Sequence, residues 1–220
     1  MNTRLPELWG YLGQAFVETC YMAGIALLIG TIIGMSIGLG LYCTRAGSLA
    51  PNRFVYVILN FIINFFRPIP FVIFIGAVQP LARLVTGTGI GNPAIIFGLS
   101  LAAGFFISRV VEQNLFSVDP GVIEAARAMG ASRLRTVFTV LVPEALGPLV
   151  LGLAFSFVSI IDASAIAGVL GGGGLGNFSL TYGFRQFDTV VTWVTVIIIV
   201  VIVQAAQLVG NLVARRLMRR

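Results

Sequence analysis

The passage EAARAMGASRLRTVFTVLVPEA, residues Glu124 to Ala145, interrupts an otherwise apolar chain with two acids and three arginines. Hydrophobic residues make up 58% of the 220 residues and charged residues only 10%, so a soluble domain of this length could not hide the apolar surface. The runs on either side can cross a hydrocarbon layer about 30 Å thick as helices of about 20 residues. The composition predicts an all-α integral membrane protein with this passage outside the bilayer.

Hydropathy predicts five membrane spans within a single domain. The spans are Thr19 to Tyr42, Phe54 to Val78, Pro93 to Val111, Ala145 to Leu170 and Thr189 to Ala214. Because the sequence shows neither an internal repeat nor a linker of different composition, we expect one transmembrane domain over residues 1–220. Six spans would need a further break that the sequence does not obviously supply.

The distribution of arginine predicts the orientation, because arginine-rich loops and tails remain in the cytoplasm. The last span is followed by Arg215, Arg216, Arg219 and Arg220. We therefore expect the C-terminus in the cytoplasm and, with five spans, the N-terminus outside. Arg4, Glu7 and Trp9 precede the first span without the cleavage site of a signal peptide, so we expect that span to be retained.

Two missing residue types exclude several kinds of site. The chain has no histidine, and all fourteen of its basic residues are arginine. These absences exclude a Ser-His-Asp triad, a histidine-ligated metal, a lysine Schiff base and a P-loop lysine. An intramembrane protease needs either a Ser-His pair or two aspartates in the spans, and this chain has no histidine and only one such aspartate. We expect a protein that is not an enzyme and binds no cofactor; if ATP drives it, another chain binds the nucleotide.

The polar passage is predicted to form two short helices joined at a corner, over residues of about 119–143. Asp119 can cap the first helix, Pro120 suits its first position, and Gly130 is a natural left-handed stop. Ser132 can cap a second helix, Arg133 to Leu141, which Pro143 is expected to end or redirect.

Small residues make this corner suitable for docking. Ala125, Ala126 and Ala128 keep the first helix slim, and Met129 offers a flexible apolar side chain. An amphipathic connector lying on anionic lipid is an alternative. A DNA-binding helix-turn-helix fits poorly, because both ends are tethered to spans and basic residues are few, so we expect no nucleic acid partner.

The spacing resembles the EAA loop of the permease subunits of bacterial ABC importers. The match consists of Glu124-Ala125-Ala126, Gly130 and Pro143, with Val140 and Val142 where the family prefers isoleucine and leucine. Five spans with this loop between the third and fourth are similar to the methionine-uptake permeases of that superfamily, a likeness that covers essentially the whole chain.

The resemblance implies a role and a set of partners. The loop would couple the spans to a separate ATPase through Glu124, Ala125, Ala126, Gly130 and Pro143, together with Met129. Two identical permease subunits, two ATPase subunits carrying ATP and magnesium, and an extracytoplasmic substrate-binding protein would complete the transporter. Its location would be the bacterial cytoplasmic membrane.

The second predicted span contains three polar residues on one helical face. Asn60, Asn64 and Arg67 precede Pro68 and Pro70, which interrupt backbone hydrogen bonding. Charged residues beside broken helices within a membrane are typical of transport pathways. Alternatively, Arg67 satisfies freed carbonyls, and the asparagines hold helices together.

The fourth span carries a polar stripe. Ser156, Ser159 and Asp162 recur at three-residue steps, and Asp162 is the only acid well inside an apolar span. We expect the stripe to face the pathway, with Asp162 contacting Arg67, a substrate ammonium or the same residue of a second copy. A protonated carboxyl bonded to a neighbouring helix is the alternative. The methionine permeases are expected to carry a small or neutral residue here.

The glycine run GGGGLG, Gly171 to Gly176, lacks the chemistry of a phosphate-binding loop and is interpreted as a flexible outer turn. With Tyr182 to Phe184 it resembles the outer loop of methionine permeases, where a binding protein is expected to dock. The predicted function is import of methionine or a related amino acid by alternating access. The alternatives are another small zwitterion, such as cystine or a betaine-like osmolyte, and a stand-alone channel or secondary carrier.

Overall fold

The structure, a computed structural model, describes residues 5–218, so Arg4, Arg219 and Arg220 of the predicted orientation signal lie outside the described residues. Residues 5–218 form helices, turns and loops without any strand, which confirms the all-α prediction for this part of the chain. Within these described residues, four helical stretches are long and apolar enough to cross a bilayer: Leu5–Thr44, Gly91–Leu115, Arg133–Ile166 and Thr189–Leu217.

Nine α-helices occur between residues 5 and 218. Their bounds are α1 Trp9–Thr44, α2 Arg53–Phe66, α3 Phe71–Thr86, α4 Gly91–Leu115, α5 Pro120–Ala128, α6 Arg133–Thr136, α7 Val142–Ala167, α8 Gly174–Phe178 and α9 Thr189–Leu217. Short 3₁₀ turns cover Leu5–Leu8 and Gly168–Leu170, and π-helical segments cover Val137–Leu141 and Ser179–Phe184.

Helices α1 and α4 pack at very close range in the centre of the protein. Gly30, Gly34 and Gly38 recur every four residues on the face of α1 that meets α4. A Cβ atom on Gly34 would lie 2.6 Å from Cγ2 of Ile107, which is fully buried. Small residues allow such close approach, and van der Waals packing is a main source of helix association in lipid. This pair therefore supplies the rigid centre of the fold.

The predicted second span, Phe54 to Val78, is not one helix. It divides into α2 and α3, whose axes differ by 115°, and the four residues between them include Pro68 and Pro70. Each proline lacks a backbone N–H and its ring obstructs the preceding turn. The pair counts as a fifth candidate span only if both halves are taken together.

The predicted helix end at Pro143 is wrong. The chain stays helical from α6 through the π-helical segment into α7, and Pro143 lies in the first turn of α7. The N–H of Val142 reaches back five residues to the carbonyl of Val137. Since a proline lacks an N–H, a wider turn beside it lets the chain continue with few lost hydrogen bonds. The second helix of the polar passage, which begins at Arg133, is therefore continuous with the fourth span.

Candidate functional site: a cavity between spans and an exposed corner

A cavity of about 170 Å³ lies where the break between α2 and α3 meets α4 and α7. Its polar lining comes from Arg67 at the break and from Ser156 and Ser159 on α7. These three are among the six residues that the sequence predicts along the pathway, and the structure brings them to one cavity. The rest of the wall is apolar and largely aromatic.

Three phenylalanines form one wall of the cavity. The rings of Phe66 and Phe105 stack with centroids 5.0 Å apart and planes at 7°. Phe74 meets both rings edge-on, with each centroid 6.2 Å away. Offset-stacked and edge-on pairs are the favoured aromatic geometries, worth about 0.5–1.5 kcal/mol each beyond burial. The three rings therefore form an ordered apolar part of the cavity lining.

The hydroxyl of Ser156, which lines the cavity, already donates its proton to a hydrogen bond within α7. Ser156 is 1% exposed, and its hydroxyl donates to the carbonyl of Gly152 at 2.8 Å. A hydroxyl whose proton is used in this way still has lone pairs that can accept. Toward the cavity Ser156 can therefore serve a donor such as an ammonium group.

The two charged residues predicted in the pathway are exposed and unpaired. Arg67 ends α2, and Asp162 lies one helical turn beyond Ser159 on α7. Within residues 5–218 neither side chain has a hydrogen bond or an ion pair. An unpaired charge facing lipid is expensive, so such groups face protein or water. Arg67 borders the cavity, whereas Asp162 lies beside its lining residues on an exposed face of α7.

The two predicted asparagines have a different neighbour. Asn60 and Asn64 both accept hydrogen bonds from the Nη2 group of Arg109 on α4, the latter at 2.7 Å. The same guanidinium donates through Nη1 to Glu112 at 2.5 Å, and Glu112 is 5% exposed. The structure therefore separates the asparagines from the cavity and places them in a polar network that joins α2 to α4. Arg109 is not among the pathway residues predicted from the sequence.

The caps and the glycine turn of the corner form as predicted. The carboxylate of Asp119 accepts from the N–H of Gly121 at 2.7 Å, and the hydroxyl of Ser132 accepts from the N–H of Arg135 at 3.3 Å. Gly130 adopts φ +81°, and the N–H of Ala131 bonds back to the carbonyl of Ala126 at 3.1 Å. This left-handed glycine closure ends α5 and turns the chain into α6.

Three large apolar side chains, at the corner and in the helical segment after it, are exposed. Met129, Leu134 and Phe138 are 83%, 72% and 64% exposed. Glu124 and Ala125 are also exposed, while Ala126 is 3% exposed. The EAA residues are therefore divided between the two sides of α5. We call the surface made by Met129, Leu134 and Phe138 the corner patch.

The chain matches the family model described as the binding-protein-dependent transport system inner membrane component, over residues 30–220. It belongs to this family. The permease is 39% identical to a probable D-methionine transport system permease protein MetI of Pasteurella multocida, over 96% of this chain and 97% of that protein. It is 37% identical to the methionine import system permease protein MetP of Bacillus subtilis, over 100% and 97% of the two chains.

A solved structure agrees with the sequence comparison. The permease superimposes on a chain of the MetNI methionine ABC transporter, solved in inward facing conformations, with a TM-score of 0.93. The two are 34% identical over 96% of this chain and 98% of that chain. The predicted fold of a type I ABC importer permease is therefore confirmed. The permease is a transport component of an ABC system in the inner membrane.

Proposed function

We propose that the permease imports methionine across the cytoplasmic membrane by alternating access. The observation that carries this proposal is its likeness, over nearly its whole length, to permeases named for methionine in two distant bacteria. Residue identity extends through the spans as well as the loop, so the likeness is not restricted to the ATPase-coupling motif. Transport in this scheme needs no covalent chemistry from the chain itself.

The energy is proposed to come from ATP on a separate subunit that docks on the corner patch. The chain lacks the lysine of a nucleotide-binding P-loop, whereas Met129 presents a flexible, polarizable side chain at the tip of the corner. Because α6 continues into α7, movement of the docked corner would be transmitted directly to the span that lines the cavity. Glu124, Gly130 and Pro143 belong to this coupling element, with Gly130 fixing the angle between its arms.

Two copies of the permease are proposed to enclose the pathway, with two ATPase subunits on the cytoplasmic side. The charged groups on the exposed face support this arrangement, because Asp162 cannot face lipid at low cost. A second copy placed across a twofold axis would convert that face into a water-filled path. A binding protein would deliver the substrate on the outer side, where the N-terminus is expected.

Arg67, Ser156, Ser159 and Asp162 are proposed to line this path. A methionine zwitterion needs a cation for its carboxylate and acceptors for its ammonium, and these side chains supply both. The phenylalanine wall would contact the thioether side chain, since sulfur–aromatic contacts are favourable by about 0.3–1.5 kcal/mol. Asn60 and Asn64 would border the path through their network with Arg109.

Reconstitution tests the proposal directly. The permease is placed in proteoliposomes with candidate ATPase subunits and binding proteins, and the uptake of radiolabelled L-methionine, D-methionine, cystine and glycine betaine is measured with and without ATP. We expect ATP-dependent uptake of methionine alone. Uptake of cystine or betaine instead would contradict the substrate, and uptake by the permease without an ATPase would contradict the coupling.

A further inference from the structure

The outer glycine run is held by side chains from two other helices. The N–H of Gly173 donates to Oδ1 of Asn92, that of Gly174 to Oε2 of Glu18, and that of Leu175 to Oγ1 of Thr19. Each of these three hydrogen bonds is 2.8 Å long. Three successive backbone donors thus find three acceptors on α1 and at the start of α4. We call Glu18, Thr19 and Asn92 the outer clamp.

Packing leaves no space for side chains at several glycines in and just before the clamped turn. A Cβ atom on Gly168 would lie 2.8 Å from Cβ of Asn177, and one on Gly174 would lie 2.7 Å from Oγ1 of Thr19. Gly174 also adopts φ +89°, a conformation that favours glycine. The turn is therefore fitted to its site, in contrast to the flexible turn expected from the sequence.

The clamped turn and the corner lie at opposite ends of one helical element. The chain is helical from Arg133 to Leu170, and the first clamped residue, Gly173, follows three residues later. At about 1.5 Å per residue, the stretch from residue 133 to residue 167 spans roughly 50 Å. A displacement of the corner must therefore move the outer turn, bend the helix, or be resisted by the clamp.

The bonds of the clamp are of a kind that can open and close. All three acceptors are side-chain atoms, so these hydrogen bonds can break without breaking the backbone hydrogen bonds of α1 or α4. Glu18 is half-buried, and its second oxygen already accepts from Gln14 at 2.9 Å on an exposed surface. Water can therefore take the place of the Gly174 N–H as the hydrogen-bond donor to this carboxylate. Because water replaces the lost partner, such a hydrogen bond contributes much less to stability than its strength in isolation.

We propose that the outer clamp is a latch: its three hydrogen bonds hold the turn after α7, and with it the outer end of α7, in the position seen in the structure. Each transport cycle requires these hydrogen bonds to open. This inference rests on the proposed function, since it assumes that ATP-driven movement of the corner reaches α7. It assigns positioning roles to Glu18, Thr19 and Asn92, none of which lies in the corner or lines the cavity.

A thiol reporter at Leu175 tests the latch, because this side chain is completely buried beneath the turn. Leu175→Cys is introduced after Cys20 and Cys43 are replaced by alanine. The complex purified from cell membranes with its ATPase subunit is placed in nanodiscs and labelled with a membrane-impermeant maleimide. ATP should raise the labelling rate about tenfold, as expected if the turn lifts when the latch opens.

Clamp variants supply the second arm of the experiment. Glu18→Ala and Thr19→Val each remove one acceptor and should raise labelling without ATP by roughly five- to tenfold. Gln14→Ala removes only the outer neighbour of Glu18 and should change labelling less than twofold. Glu18→Gln retains an acceptor oxygen and should restore most of the protection lost in Glu18→Ala. Labelling that ignores ATP, or equal rates in Glu18→Ala and Gln14→Ala, would overturn the latch.

ATP hydrolysis by complexes that keep Leu175 gives an independent readout. Thr19→Val is nearly isosteric and should raise basal hydrolysis per assembled complex about fivefold. A purely structural role would lower the yield of complex and leave turnover per complex unchanged, a result that contradicts the latch. If ATP raises the labelling rate but methionine is not taken up, methionine is the wrong substrate and the latch still stands. If methionine is taken up normally but ATP leaves the labelling rate unchanged, the latch is contradicted and the proposed function still stands.

Discussion

Replacing Met129 by alanine should weaken ATPase binding without destabilising the permease. Met129 is 83% exposed, so its truncation changes the free energy of unfolding by less than about 0.5 kcal/mol. Burial of a methionine side chain in a partner's groove is worth about 1.5–3 kcal/mol. Allowing for the part that alanine retains, we expect a loss of about 1.5 kcal/mol at each corner, or roughly a tenfold increase in the Kd.

The assay measures binding of the purified ATPase subunit to permease in nanodiscs, with thermal unfolding recorded in parallel. Leu84→Ala is the matched control, because Leu84 is 82% exposed but lies near the junction of α3 and α4, at the end of α4 remote from the corner. The control should bind the ATPase with an unchanged Kd. An unchanged Kd for Met129→Ala, or equal weakening in both variants, would refute docking at the corner patch.

Three further predictions concern the spans. Asp162→Asn should lower methionine uptake about tenfold, because an unpaired carboxylate is lost from the proposed path, while thermal unfolding in detergent stays unchanged; equal uptake would remove Asp162 from that path. Gly34→Ala should cost about 1–3 kcal/mol of stability by overpacking against α4, whereas Gly24→Ala, with no atom within 4 Å of its Cβ, should be neutral in the same unfolding assay. Arg109→Ala should destabilise the protein by about 3–5 kcal/mol, since Glu112 would remain buried without its partner; unchanged unfolding would show that the network contributes nothing to stability.

The corner could be predicted from the sequence because its signals are local. Asp119, Gly130 and Ser132 each act within three or four residues of their own position, through a cap or a left-handed turn. The cavity was partly predictable for a similar reason, since Ser156 and Ser159 share one face of a helix through their spacing.

The remaining features depend on contacts that local patterns do not encode. Arg109 meets Asn60 across 49 residues, and Glu18 meets the N–H of Gly174 across 156. Helical spacing correctly predicts that Asn60 and Arg67 lie on one face of the helix. It does not predict that Asn60 contacts α4, whereas Arg67 lines the cavity. Pro143 was misleading because its usual effect assumes α-helical geometry, whereas the wider π-helical turn before it allows the helix to continue.

The ratio of methionine taken up to ATP hydrolysed, measured in proteoliposomes for Gly130→Pro, tests the central claim most directly. Proline cannot adopt φ +81° and lacks the N–H that Gly130 donates to the carbonyl of Arg127 at 3.0 Å, so the corner between α5 and α6 must change. Because Gly130 lies in the polar passage between the spans, insertion and folding of the membrane domain should persist. The account predicts continued ATP hydrolysis with loss of uptake, whereas a normal uptake ratio in Gly130→Pro would contradict it.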